Sequence, residues 1–190
     1  MKVFVIAAVI LLILSATSTA SAQKRDYMTE AEIELIRDNQ DIDKRVDVLT
    51  KMIDRRFTAL GIEAGGWKAS EKEQKLWGEV QAGTRSELLY DVRQLLQKAI
   101  DDIDDVAEHN DNALAQNKTE GLLFPPAVRQ LAAAATRYLP VLRSTLDKTT
   151  DERDKGVILT SIESCEAIIE SVAKLPPEIK PTKKKSKSSR

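Results

Sequence analysis

The densest concentration of reactive side chains in the chain is an acidic run: Asp101, Asp102, Asp104, Asp105, Glu108, His109 and Asp111. Helical spacing puts Asp101, Asp105 and Glu108 one turn apart on a single face and makes Asp105 and His109 an i, i+4 pair. Carboxylates and an imidazole on one face are ligands for a divalent cation, as in carboxylate-bridged helical metal proteins. Such sites draw inward-pointing ligands from several helices. Here Ile103, Val106 and Asn110 occupy the inward positions, so the acids are expected to face solvent. Calcium-loop spacing with its central glycine is also missing. Asp101, Asp105, Glu108 and His109 are therefore the candidate ligands of a secondary reading, in which face 101–111 handles a divalent metal.

His109 is the only side chain that ordinarily titrates near neutrality and Cys165 the only thiol. One histidine and one cysteine exclude a His/Cys zinc site, a thiol redox pair and a disulfide framework. A nucleophile–base pair needs the two side by side with a third orienting group. Cys165 instead sits on the apolar seam of its helix, as a buried structural thiol; bridging a dimer is the alternative. Neither a Gly-rich phosphate loop nor a Ser/His/Asp arrangement can be assembled. No catalytic residue and no cofactor is expected, and the chain reads as non-enzymatic.

Two features remain as candidates for binding. Residues 61–83 hold five of the seven glycines and both tryptophans, Trp67 and Trp77. On such a connection, tryptophans are either anchors for a partner or two large plugs closing one end of an aromatic-poor core. The other feature is the tail. After Pro177, Lys180, Lys183, Lys184, Lys185, Lys187 and Arg190 put six positive charges on the last eleven residues, which hold no acid and no large apolar group, so residues 177–190 are expected to be disordered. The whole chain is −1; without Lys2 and those six charges, residues 23–179 carry −8. A basic tail on an acidic body can attract an anionic surface, fold onto that body, or only solubilise it. Nucleic acid is not expected, because no aromatic residue interleaves the lysines and the body is acidic.

These features need a scaffold and a compartment. Met1-Lys2, twelve apolar residues from Val3 to Leu14, then small residues ending Ala20-Ser21-Ala22 have the layout of a signal peptide. The apolar run rises about 18 Å as a helix, short of the ~30 Å hydrocarbon core. Residues 1–22 are expected to be removed, leaving no transmembrane segment and a periplasmic or secreted protein. Asn117-Lys-Thr119 matches a glycosylation acceptor in a turn, of weight only in a eukaryotic host.

Between leader and tail, residues 23–176 read as one all-α domain. Thr29-Glu-Ala-Glu32 is a capping box that starts a helix at Glu30. Asp41 is placed to cap a second helix, with Ile42, Val46, Leu49, Ile53, Phe57 and Leu60 on one stripe, ended by Gly61. Ser70-Glu-Lys-Glu73 caps a short helix through Val80. Thr84-Arg-Ser-Glu87 opens the longest stripe: Leu89, Val92, Leu96, Ala99, Ile103, Val106, Asn110 and Ala113. Its alternating four- and three-residue steps resemble a coiled-coil seam. After a turn at 117–126 with Pro125-Pro126 as breakers, Val128, Leu131, Ala135, Leu139, Leu142 and Leu146 define a helix that Pro140 should kink or divide. Thr149-Thr-Asp-Glu152 caps the last helix, with Ile158, Ile162, Cys165, Ile169 and Val172. Four stripes joined by turns predict an up-and-down bundle of about four main helices. The expected function is an exported interaction or structural module with a protein or anionic-surface partner, and homo-oligomers are allowed.

Overall fold

Helix starts in this chain are set by side chains that satisfy otherwise unpaired N–H groups. The computed structural model of the chain describes residues 25–109 and 124–177. Residues 1–24 (with the expected signal peptide), 110–123 (with Asp111 and Asn117-Lys-Thr119) and 178–190 (with the tail lysines) lie outside them. Six helices are described: α1 (Glu30–Asp38), α2 (Ile42–Ala59), α3 (Glu71–Trp77), α4 (Arg85–His109), α5 (Phe124–Lys148) and α6 (Glu152–Ser171), with a 3-10 turn at Val172–Lys174. No strand occurs among the described residues, and the fold is all-helical.

The capping boxes of α1, α3 and α4 form as expected. Glu32 N–H donates to Thr29, Glu73 N–H to Ser70 and Glu87 N–H to Thr84, each with the reciprocal carboxylate bond. Five expectations need correction. Asp41 precedes α2 but makes no side-chain cap; its carboxylate takes Lys44 instead. The cap of α6 is Asp151, which accepts from Asp154 N–H, while Thr149 turns its hydroxyl back to the Thr145 carbonyl. Helix α3 stops at Trp77 because Gly78 turns to φ 62°. Pro125 and Pro126 lie in the first turn of α5, where a missing N–H costs nothing, and α5 runs undivided through Pro140.

Cross-helix polar pairs give the directions. Arg56–Asp91 and Arg45–Asp102 make α2 and α4 antiparallel. Gln130–Asp47 and Arg137–Asp54 make α2 and α5 parallel. Arg143–Glu166, together with the Arg129 bond to the Pro176 carbonyl, makes α5 and α6 antiparallel. Helix α2 packs on α4 and α5, and α6 on those same two; α4 and α5 touch lightly across the diagonal. Successive helices α4 and α5 are therefore not close neighbours.

One apolar core lies between them, including Val46, Leu49, Ile53, Val92, Leu96, Leu131, Tyr138 and Ile158. The buried face of α4 is broader than an a/d seam, since Leu88, Asp91 and Leu95 are buried beside Leu89, Val92 and Leu96. That width matches a helix meeting more than one neighbour. In α5 Tyr138 is fully buried, whereas Leu139, expected on the buried stripe, is only half-buried. Among the described residues no helix is long and apolar enough to cross a membrane.

Candidate functional site

Residues 61–80 are held against the far end of α2 by two buried polar centres. Asp54 is the first. Its carboxylate accepts from the Trp67 backbone N–H at 2.7 Å, the Tyr138 hydroxyl at 2.9 Å and Arg137 at 3.2 Å. Arg137 also donates to the Ala64 carbonyl. Glycine is required at 66 by space: a Cβ there would fall 2.1 Å from the Asp54 carboxylate.

Arg55 and Arg56 build the second centre. Arg56 is wholly buried and donates twice to Glu32, at 2.8 and 2.6 Å, and once to Asp91 at 3.2 Å. Arg25 closes on the other side of Asp91 with two bonds of 2.8 Å. Arg55 donates to Glu32 at 2.9 Å and to the carbonyls of Trp77 and Gly78 at 3.2 and 2.7 Å. Burial lowers the Arg55 pKa, and the charge of Glu32 opposes that shift. Buried charges persist only when paired and hydrogen-bonded, and every carboxylate here meets at least one guanidinium.

The tryptophans meet between these centres. Their rings lie 5.0 Å apart and tilted by 46°. Lys51 stands 5.5 Å from the Trp67 ring and Arg55 lies 5.4 Å from that of Trp77, both within cation–π range. Trp77 is buried and Trp67 half-buried. Packing and access therefore divide between them: Trp77 fills, and Trp67 keeps an accessible face. A groove runs beside them, bordered by Thr58, Lys68, Lys75 and Val80. Leu76 is 63% exposed and Val80 39%, two of the few large apolar side chains left in solvent among the described residues. The spacing did not single out Arg55, Leu76 or Val80. Signals existed: Asp91 falls between Leu88 and Leu95 on the apolar face of α4, and Arg56 falls between Met52 and Leu60 on that of α2.

The acidic face is arranged differently. Asp101, Asp104, Asp105, Glu108 and His109 are exposed on α4. Asp101 accepts from Gln97, and His109 Nδ1 lies 2.9 Å from the Asp105 carbonyl and 3.1 Å from its carboxylate. That carbonyl contact, then the carboxylate charge, raises the His109 pKa. Asp102 corrects the expectation of wholly outward acids: it is 11% exposed, accepting from Lys98 at 2.9 Å with Arg45 at 3.9 Å. Among the described residues no three His, Cys, Asp or Glu side chains converge to hold a metal ion.

Cys165 is wholly buried, and burial pushes its pKa up to about 12. Because His109 is exposed and Cys165 is sealed in the core, the structure does not bring them together as nucleophile and base. Neither does it place Cys165 where a second chain can reach it. The candidates Lys183, Lys184, Lys185, Lys187 and Arg190 lie outside the described residues. No protein family, characterised protein or solved structure matches the chain.

Proposed function

We propose that this protein is an exported, non-enzymatic interaction module of the cell envelope or extracellular space. Its body is a bundle of four main helices that alternate in direction, with successive helices α4 and α5 across the diagonal, and its docking surface is the Trp67–Trp77 groove. The observation that carries this reading is the exposure of Val80 on the border of the groove that Trp67 also lines, on a connection anchored from below by Asp54 and Arg55. Apolar side chains displayed on a rigid support, with an aromatic residue among them, have the composition of an interface centre. The partner is a protein offering a complementary apolar face. The basic tail adds charge attraction to an anionic envelope surface, worth about 1 kcal/mol per lysine or arginine near such a surface.

A photo-crosslinking residue introduced at position 80, on the border of the groove, tests the docking surface in the exporting cell. A discrete adduct at 80 that is absent at exposed position 153 and lost on Trp67→Ala supports it. Equal labelling at both positions, or an adduct indifferent to Trp67, rejects it. For the tail, vesicles containing anionic lipid should retain the intact chain at low salt and release a variant with Lys183, Lys184, Lys185 and Lys187 changed to Gln. Equal retention of both removes the tail from the reading.

A further inference from the structure

The groove shares its deepest support with another part of the molecule. Residues 25–38 form a strap across one end of the fold, and α1 packs on α2 and α3 but on no other helix among the described residues. Few of its side chains are buried: Leu35 belongs to the core, and Tyr27, Met28 and Ile36 are half-covered. Polar anchors do much of the holding. Arg56 takes the Tyr27 carbonyl at 2.9 Å as well as Glu32, Arg25 takes the Ala82 carbonyl at 2.8 Å as well as Asp91, and Gln81 donates to the Asp26 carbonyl at 2.8 Å.

Several of those anchors join the strap to the chain that forms the groove. Arg55 is the tightest link, with Glu32 of the strap on one side and the two carbonyls that terminate α3 on the other. Gly78 is a second link, since a Cβ there would touch the Ala31 side chain at 3.4 Å.

We propose that the strap gates the groove: residues 25–38 and 71–80 seat and release as one unit through the guanidinium of Arg55. This deepens the docking reading above and rests on it for its functional meaning. The physical reason is charge burial. If the strap lifts, Glu32 leaves, and a buried Arg55 without its carboxylate is strongly unfavourable. Its guanidinium then follows to water and abandons the Trp77 and Gly78 carbonyls. Opening the groove segment first removes the same bonds from the other side, and the coupling must be reciprocal.

Hydrogen exchange by mass spectrometry on the purified chain tests this from both ends without a partner. Arg25→Ala loosens the strap at a half-exposed anchor. Gly78→Ala strains the groove segment, because φ 62° with ψ −167° there is a backbone region essentially reserved for glycine, and a residue with a Cβ held in it costs about 1–3 kcal/mol, a factor of about ten or more. In each variant, exchange in 30–38 and in 71–80 should quicken together, by about tenfold, while 128–142 and 158–168 keep their protection. Arg55→Lys, which cannot bridge both sides, should let the two segments exchange at different rates. The proposal is overturned if either variant loosens one segment and leaves the other unchanged. Uniform acceleration across all helices overturns it equally, because the two segments are then no unit of their own. If adducts at position 80 fail while the segments still move together, the docking surface falls and the coupling stands. The reverse pair of results removes the gate alone.

Discussion

Trp67 donates its backbone N–H to the Asp54 carboxylate at 2.7 Å, and the neighbouring Gly66 leaves room for that contact and for nothing larger. One buried acid thus positions the tryptophan, orients the Tyr138 hydroxyl and meets Arg137. Asp54→Ala would leave three donors without their acceptor and should cost about 3 kcal/mol in urea unfolding. Gly66→Ala should cost about 1–3 kcal/mol by crowding and shift the tryptophan emission. A neutral result at both positions would mean that the connection is not anchored there.

Arg56 is the side chain on which the second centre turns. It is wholly buried and bonded to both Glu32 and Asp91. Asp91→Ala should therefore destabilise by about 3–5 kcal/mol, the usual cost of removing one partner of a buried pair. Lys44→Ala, which breaks an exposed pair with Asp41, should change stability by less than about 1 kcal/mol. The contrast in thermal midpoints checks the assignment of buried against surface charge.

The single histidine permits a clean pH measurement. His109 should titrate above its ordinary 6.5, because the Asp105 carbonyl and then the Asp105 carboxylate favour the protonated ring. With the folded value raised, any stabilisation is complete below 6.5 and is lost as pH rises through the folded value. NMR titration of the one imidazole reads this directly. Asp105→Asn should lower the value only in part, since the carbonyl contact remains.

Glu87 should show the opposite sign. Its hydrogen bonds from the Thr84 backbone and hydroxyl hold its pKa below the ordinary 4.5. The cap is in place above 4.5 and is lost as pH falls through the lowered folded value. Thr84→Ala should bring the Glu87 titration back toward 4.5 and increase fraying at the start of α4.

A thiol reagent at pH 8 should leave native Cys165 untouched, because burial keeps it protonated to about pH 12. Labelling in urea should follow global unfolding, and reducing and non-reducing gels should agree. Fast labelling of native protein would show that α6 is not seated as described.

Local chemistry made much of the helical framework readable along the chain. Thr29, Ser70 and Thr84 begin helices because each offers an oxygen to an N–H three residues on, a relation contained within four residues. Gly61 ends α2 with φ 70° for an equally local reason. Apolar periodicity then identified the buried stripes of α2, α4, α5 and α6, because one face of each must leave water. Asp41 and Thr149 misled because a side-chain oxygen can serve another group, and local spacing does not say which.

Tertiary structure decided what local spacing leaves open. Glu32 reads along the chain as the last member of a capping box, yet it is also the partner of Arg55 and Arg56, more than twenty residues away. Asp54 carries no local signal of a role and Asp91 only its place between Leu88 and Leu95; both become anchors only when Arg137, Tyr138 and Arg25 arrive from other segments. The neighbours of each helix were likewise undetermined, because several arrangements bury the same stripes. The accessible face of Trp67 and the burial of Trp77 follow from that packing. Sequence by itself determined where α1, α3 and α4 begin and most of the faces that leave water; long-range pairing of buried charges, which depends on the whole fold at once, decided what those helices hold in place.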